Sequence, residues 1–173
     1  MGDFSERARK TLSSAGGVAC EDTRTARNML QSLGISPPRL FSLYEHNESD
    51  RIEQLLNLIS SGTDIALVSE AGTPTVSDPG YRLVRACVDA GITVSPIPGA
   101  SAAIAALSAS GLPSDRFLFA GFPPKKGTKL RRFWDKNVIP GLTVITYVPA
   151  RRLVEVLQEL NSRLPDAAVV IAR

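Results

Sequence analysis

The residues of this sequence best suited to chemistry lie in a polar loop that directly follows an apolar run. Residues 65–68 are typical of a buried strand, and the segment 69–80 after them is rich in Gly, Pro, Ser and Thr. Ligands of open α/β sheets bind at the carboxyl ends of strands. The Thr73 hydroxyl and the exposed backbone around Gly72 can hydrogen-bond a polar ligand there. The loop therefore predicts a binding site.

A second turn of this kind, Gly99-Ala100-Ser101, follows the next predicted strand. It opens an Ala-rich helix whose free N–H groups suit an anionic or carboxylate-bearing ligand. Ser101, and Asp78 in the preceding loop, are also good helix N-cap residues, so capping is the alternative role for both. The turn also resembles a variant nucleophile elbow, but His46, the only histidine, lies upstream, in the wrong order for a serine hydrolase.

Acidic, basic and imidazole side chains follow two earlier apolar runs. The motif Glu21-Asp22-Thr23-Arg24 follows one run, and His46 and Asn47 follow the other. A carboxylate or an imidazole can accept a proton from a hydroxyl group, and an arginine can bind a phosphate with two hydrogen bonds. The alternatives are a helix cap with an internal ion pair for the first motif and a hydrogen-bonded loop pair for the second. Because all these loops should meet at one sheet edge, we expect a cleft there.

Positive charge is concentrated in the last third of the chain. Residues 1–112 hold 9 Lys and Arg against 12 Asp and Glu, whereas residues 113–173 hold 11 against 5. An acidic half joined to a basic half fits an enzyme that acts on a polyanion. The predicted phosphate-binding residues are Lys125, Lys126, Lys129, Arg131 and Arg132. The alternative is an ordinary solvated helix face. Trp134, within the same run, is expected to be a core residue.

Composition narrows the classes of protein. The chain has 173 residues, of which 43% are hydrophobic, enough for a packed core. No apolar run reaches the roughly 20 residues of a membrane span, and the N-terminus has no signal-peptide pattern, so a cytoplasmic location is expected. Cys20 and Cys87 are too few and too far apart in sequence for a metal site, and their apolar neighbours predict reduced core thiols. No metal is predicted.

Strand-like and helix-like segments alternate along the chain, which predicts an α/β fold with a mostly parallel sheet. The predicted strands are 18–20, 39–44, 64–69, 92–96, 116–120, 142–147 and 167–172, and the predicted helices are 3–15, 23–33, 49–61, 79–90, 100–110, 126–138 and 149–161. A break near Leu112 divides a first α/β domain (1–112) from part of a second (113–173). We expect the first domain to lack an opening strand and the second to be incomplete.

The motifs together resemble one family. They are Glu21-Asp22-Thr23-Arg24, His46-Asn47-Glu48, Val68–Pro74 with Ser77–Tyr81, Pro98–Ala102, and Gly111–Phe117 with Gly121-Phe122-Pro123. Their spacing is similar to that of the bacterial small-subunit rRNA 2′-O-ribose methyltransferases of the RsmI type, in the tetrapyrrole methylase superfamily. The resemblance covers nearly the whole chain and implies a tetrapyrrole-methylase-like fold of two α/β domains.

The resemblance also implies a reaction. S-adenosyl-L-methionine (SAM) would donate a methyl group to the 2′-hydroxyl of a cytidine near the decoding centre of 16S rRNA, as naked RNA or in the assembled small ribosomal subunit. The predicted donor site comprises Glu70, Gly72, Thr73, Pro74, Val76, Asp78, Gly99, Ser101, Ala102 and Tyr147. The predicted catalytic residues are Glu21, Asp22, Arg24, His46 and Asn47. The alternatives are a methylase of corrin or porphyrin precursors and an inactive RNA-binding fragment. Whether the chain forms a homodimer is left open.

Overall fold

Helices and strands alternate along the chain in the computed structural model, which describes residues 2–36, 38–44 and 47–173. The elements are α1 (Glu6–Ser14), β1 (Gly17–Cys20), α2 (Thr23–Ser32), β2 (Arg39–Ser42), α3 (Glu48–Ser60), β3 (Ile65–Leu67), α4 (Tyr81–Asp89), α5 (Ala102–Ala109), β4 (Phe117–Gly121), α6 (Thr128–Asn137), β5 (Thr143–Thr146), a 3₁₀ turn (Ala150–Arg152) and α7 (Leu153–Arg163). The chain divides into a first unit, Met1–Ser101, and a second unit, Ala102–Arg173. Among the described helices, none combines the length and apolar character needed to cross a bilayer.

The sheet of the first unit has the order β2-β1-β3, and both pairings are parallel. All four residues of β1 are buried. This is expected for the central strand of a parallel sheet, because helices cover both of its faces. The carboxyl ends of the three strands therefore lie at one edge, and the loops that follow them share that edge.

Alternate side chains of β1 enter two separate cores. Val18 points to the side of α1 and α2, where it belongs to a cluster with Leu12 and Leu30. Ala19 points to the side of α3 and α4, where it belongs to a cluster with Leu55 and others. The first unit is thus a sheet between two helical layers, as the α/β prediction requires.

The second unit is built on a parallel β4-β5 pair. Helices α6 and α7 pack together through Leu130, Trp134 and Val156, so Trp134 is a core residue as predicted. Helix α5 lies against β5 and therefore groups with this unit. The division consequently falls after Ser101, whereas the sequence placed the boundary near Leu112.

Two predicted strands are absent from the described residues. Segments 92–96 and 167–172 form neither helix nor strand, so these two predictions were wrong. A strand needs a neighbouring strand as well as apolar residues, and neither described sheet extends to these segments. The Pro96 carbonyl instead accepts a hydrogen bond from the Arg7 guanidinium (3.0 Å). Residues 169–171 are about half exposed.

Candidate functional site

A cleft of about 220 Å³ lies at the carboxyl ends of β1 and β3 in the first unit. Its lining residues are Cys20, Glu21, Asp22, Thr25, Ala26, Met29, Val68, Ser69 and Glu70. The fold therefore brings together three carboxylates from two of the loops that the sequence singled out. The cleft lies at the sheet edge where ligands of α/β proteins bind.

Asp22 and Arg24 are bound to each other at the entrance of α2. Asp22 is the N-cap residue, and its Oδ1 accepts a hydrogen bond from the Arg24 backbone N–H (2.7 Å). The Arg24 guanidinium also donates from Nη2 to Asp22 Oδ2 (2.8 Å). Above all, the hydrogen bond from the Arg24 side chain lowers the pKa of Asp22 to about 2. The cap and ion pair that sequence reasoning kept as an alternative are thus present, and so low a pKa makes Asp22 a weak base at neutral pH.

Glu21, in contrast, presents an exposed carboxylate to the cleft. This carboxylate forms no hydrogen bond or ion pair with any residue in the described ranges. The Glu21 backbone is linked to β2, because Ser42 Oγ donates a hydrogen bond to the Glu21 carbonyl oxygen (3.4 Å). Glu21 therefore presents a carboxylate that can accept a proton from a bound ligand, and so does Glu70, which is also exposed and lines the same cleft.

The side chain of Asn47 forms two hydrogen bonds to the backbone at the end of β2. Its Nδ2 donates to the Ser42 carbonyl (3.1 Å), and its Oδ1 accepts from the Tyr44 backbone N–H (2.8 Å). The Asn47 amide is thus tied to Ser42, whose hydroxyl contacts the Glu21 carbonyl. Glu45 and His46 lie outside the described residues, so the catalytic role of His46 stays a prediction.

The cysteine in the cleft is chemically quiet. Cys20 is a free thiol, is buried, and donates a weak hydrogen bond to the Phe41 carbonyl (3.7 Å). Burial, and secondarily the charge of Asp22, raise its pKa to about 11. Burial also raises the pKa of Cys87. Both residues are protonated core thiols at neutral pH, as the sequence predicted.

The loop from Ser69 to Gly80 has an unusual backbone. Thr75 (φ 73°) and Ser77 (φ 62°) occupy the left-handed region, which residues with a side chain seldom adopt. Val76 between them is 46% exposed, and its backbone N–H donates to the Thr73 carbonyl (3.3 Å). Strained backbone of this kind persists where the surroundings enforce it, and it clusters at ligand-binding sites.

Glu48 fixes the far end of this loop, a role that sequence reasoning missed. Its side chain is buried, and Oε1 accepts hydrogen bonds from the backbone N–H groups of Gly80 and Arg82 (both 3.2 Å). Gly80 has φ 113°, and a Cβ there would lie 2.7 Å from Leu67 Cδ2. A carboxylate at the start of α4 also complements the helix dipole. The sequence did offer one signal for this role, because Glu48 is the last residue of the His46-Asn47-Glu48 motif.

The remaining predicted donor residues fall in both units. The turn at Gly99 and Ser101 belongs to the first unit, where Ser5 Oγ donates to the Pro98 carbonyl (3.3 Å) and holds the turn near α1. Ala102 and Tyr147 belong to the second unit, where Ala102 begins α5 and Tyr147 follows β5.

The five predicted phosphate-binding residues are all exposed, and all lie in the second unit. We call them together the basic surface: Lys125, Lys126, Lys129, Arg131 and Arg132. Leu130 and Trp134 are one turn apart and buried, so α6 directs its cations to solvent. None of the five cations forms an ion pair with a carboxylate in the described part of the chain. They are therefore available to an anionic ligand.

Fold and site together define a two-unit α/β protein with a small acidic cleft at the strand ends of its first unit and a basic surface on its second. The sequence pattern of the Tetrapyrrole (Corrin/Porphyrin) Methylases matches residues 1–173, and the chain belongs to that family. This finding confirms the superfamily resemblance seen in the motifs.

Individual relatives carry a more specific name. Ribosomal RNA small subunit methyltransferase I of Escherichia coli O157:H7 is 45% identical over 174 residues, covering 100% of this chain and 60% of that protein. Its namesake in Mesorhizobium japonicum is 49% identical over 158 residues, covering 91% of this chain and 53% of that protein. The chain thus spans little more than half the length of these curated relatives.

The fold is also similar to that of a solved structure. Uroporphyrin-III-C-methyltransferase from Thermus thermophilus matches with a TM-score of 0.56 and 23% sequence identity, over 90% of this chain and 66% of that one. At this identity the similarity concerns the fold alone, and it confirms the predicted tetrapyrrole-methylase-like architecture.

Proposed function

We propose that this chain carries the donor site and an RNA-binding surface of a methyltransferase that modifies small-subunit (16S) rRNA at a cytidine 2′-hydroxyl. The observation that carries the proposal is the acidic cleft beside the strained loop 69–80, at the strand ends of the first unit. The basic surface and the names of the relatives support the choice of acceptor.

The proposed methyl donor is SAM, and the charge of the cleft suits it. SAM carries positive charge on its sulfonium and ammonium groups and supplies a methyl group already activated by the sulfonium. Glu70 would offset that charge, since its carboxylate lines the cleft. Backbone groups and hydroxyls of the predicted donor residues in the first unit would bind its polar edges; these are Gly72, Thr73, Pro74, Val76, Asp78, Gly99 and Ser101.

On the acceptor side, the proposed proton acceptor is Glu21. A ribose hydroxyl is a weak acid, and a positioned base adds about 10²–10⁴-fold to the rate of such a step. Asp22 lines the cleft and binds the guanidinium of Arg24. We propose that the Arg24 guanidinium binds a phosphate of the acceptor there. His46 remains the second candidate for the base.

The basic surface is proposed to bind the phosphates of rRNA or of the assembled small subunit in the cytoplasm. Unpaired lysines and arginines bind polyanions by releasing counterions, so affinity should fall steeply with salt concentration. A tetrapyrrole acceptor, the alternative within the family, would instead require an apolar opening large enough for the ring.

Donor binding is tested by titration calorimetry with SAM. Thr73→Lys places a cation in the proposed donor loop and should abolish binding without unfolding the sheet. Ser60→Lys is the matched control, because it adds the same charge at an exposed position. Ser60 is the last residue of α3, which precedes β3, so it lies away from the carboxyl end of that strand. Equal affinity for the two variants would refute the donor site.

The acceptor is tested by methyl transfer to small-subunit rRNA under single-turnover conditions. Glu21→Gln should lower the rate by about two orders of magnitude while donor affinity changes little. Asp22→Asn should have a smaller effect, because the amide still caps α2. A near-native rate for Glu21→Gln would remove Glu21 as the base and leave His46 to be tested by His46→Ala.

A further inference from the structure

An exposed aromatic ring stands next to the basic surface. Phe122 is 56% exposed, and its ring centroid lies 5.4 Å from that of Tyr147. Tyr147 in turn contacts Phe119 edge-on, with centroids 5.0 Å apart. Phe122 therefore packs on Tyr147, which Phe119 supports in turn, while much of the Phe122 surface remains open to solvent.

A β-bulge explains why Phe119 and Phe122 reach the same ring. In a regular strand, residues three apart point to opposite faces of the sheet. The register of β4 against β5 shifts between Phe119 and Gly121, and Gly121 has φ 67°, which glycine adopts without strain. The Tyr147 N–H closes the irregular pair by donating to the Gly121 carbonyl (2.9 Å). The extra residue redirects Phe122, as bulges do next to functional sites.

The loop after Phe122 is held rigidly by a single arginine. Arg152 Nη1 donates to the Pro123 carbonyl (3.0 Å), and Nη2 donates to the carbonyls of Pro124 (2.7 Å) and Lys125 (2.5 Å). The Arg152 side chain is only 14% exposed. Phe122 and Lys125 thus lie on one fixed piece of backbone, and little entropy remains to be lost when a ligand binds.

We propose that Phe122 is a stacking platform for an unpaired RNA base, whose flanking phosphates bind Lys125 and Lys126. The proposal rests on the proposed RNA substrate and adds a contact to the bases themselves. Proteins recognise single-stranded RNA by combining a cationic groove with aromatic side chains on which bases stack. A purely apolar partner is disfavoured, because docking would bury both lysines without a counter-charge.

The test compares RNA affinities of variants of this chain over a range of salt concentrations, with an unstructured oligocytidylate as the probe. Phe122→Ala should weaken binding by about 5- to 100-fold and leave the salt dependence unchanged, because it removes stacking but no charge. The double variant of Lys125→Ala and Lys126→Ala should reduce the salt dependence. Phe122→Trp should retain affinity, and its added indole emission should be quenched by bound RNA.

The matched control is Phe117→Ala. Phe117 is 40% exposed and lies on the same strand, but at its opposite end, so its removal should leave RNA affinity unchanged. Trp134 emission checks that every alanine variant is folded.

Unchanged RNA affinity in folded Phe122→Ala, alongside weakened binding in the lysine variant, overturns the platform and leaves the RNA surface intact. A loss of SAM affinity instead of RNA affinity also overturns it, because the ring would then belong to the donor site. No RNA binding by the native chain overturns both the platform and the RNA surface.

Discussion

At the scale of single residues, the cleft separates two neighbouring carboxylates into different roles. Asp22 caps α2 and binds Arg24, whereas Glu21 projects into the cleft with its carboxylate uncommitted among the described residues. The hydrogen-bonded ion pair with Arg24 stabilises the charge of Asp22. The hydrogen bonds give Asp22 a structural role, and the proposed base role of Glu21 awaits the Glu21→Gln test.

The Asp22 pair makes stability depend on pH in a defined direction. The folded-state pKa of about 2 lies below the ordinary 3.8, so the folded state favours the ionised carboxylate. Its contribution is complete above about pH 4 and is lost as the pH falls towards 2. Asp22→Asn should therefore have a lower melting temperature than the native chain at pH 5, and the two should converge towards pH 2. A gap independent of pH over this range would contradict the pairing.

Glu48 should be important for stability through two backbone hydrogen bonds. Glu48→Ala leaves the N–H groups of Gly80 and Arg82 without their acceptor, which should cost about 1–3 kcal/mol in urea unfolding. Glu48→Gln keeps a carbonyl oxygen at the same position and should cost less. Donor affinity should follow the same order, because the loop ends at Gly80. If Gln destabilises as much as Ala, the N–H contacts are not the source of the effect.

At the scale of elements, the junction of the loop with α4 depends on a close approach between Gly80 and β3. Gly80→Ala adds a Cβ within 2.7 Å of Leu67 Cδ2, whereas Gly72→Ala meets nothing within 4 Å. Both glycines have positive φ (77° for Gly72 and 113° for Gly80), so both variants also carry backbone strain, which is about 1–2 kcal/mol near the left-handed region and larger at the wider angle of Gly80. Gly80→Ala should lose clearly more unfolding free energy than Gly72→Ala. Equal losses would show that Leu67 moves aside at no cost.

The sequence predicted a strand correctly wherever the apolar run pairs with another strand in the structure. The runs that became β1, β2 and β3 alternate with amphipathic helices, and all three were expected, as was the sheet edge that holds the cleft. Segments 92–96 and 167–172 also contain β-branched residues that suit a strand, yet neither belongs to a sheet among the described residues. Composition records how well a residue suits a strand, whereas pairing depends on the rest of the fold.

The site was predictable at the level of loops but not of individual contacts. The β1 and β3 loops were expected to meet, and Glu21, Asp22 and Glu70 do line one cleft. The β-bulge beside Phe122 and the buried position of Glu48 were not foreseen. Both depend on distances of a few ångströms between residues far apart in sequence, which residue type and spacing do not encode.

At the scale of the whole molecule, the two units have cores of different size. The first unit buries side chains in two clusters on either side of its sheet. The second has one cluster of buried residues, Leu130, Trp134 and Val156, and also buries Ala103 and Leu107 on α5. A smaller buried core gives less free energy of folding. Trp134 is the only tryptophan of the chain, so its fluorescence reports the second unit alone.

Unfolding in urea should therefore depend on the probe. The Trp134 fluorescence transition should occur at lower urea than the main loss of helical circular dichroism, contrary to two-state behaviour. Val156→Ala should shift the early transition and Leu55→Ala the late one, because each truncates a nearly fully buried side chain of one unit. Coincident transitions in all three proteins would show that the units unfold together.

The way Arg152 holds its loop has a consequence for how this protein can change over time. The guanidinium recognises only carbonyl oxygens of the loop, an acceptor that every amino acid supplies. Substitutions at Lys125 therefore leave the anchoring atoms in place, and the exposed chemistry of the loop can change while its shape persists. A lineage could in this way adapt the surface to a different nucleic acid, or to no nucleic acid, by point mutations that cost little stability. The same property makes the loop a suitable position for engineered changes of specificity, provided that Arg152 is kept.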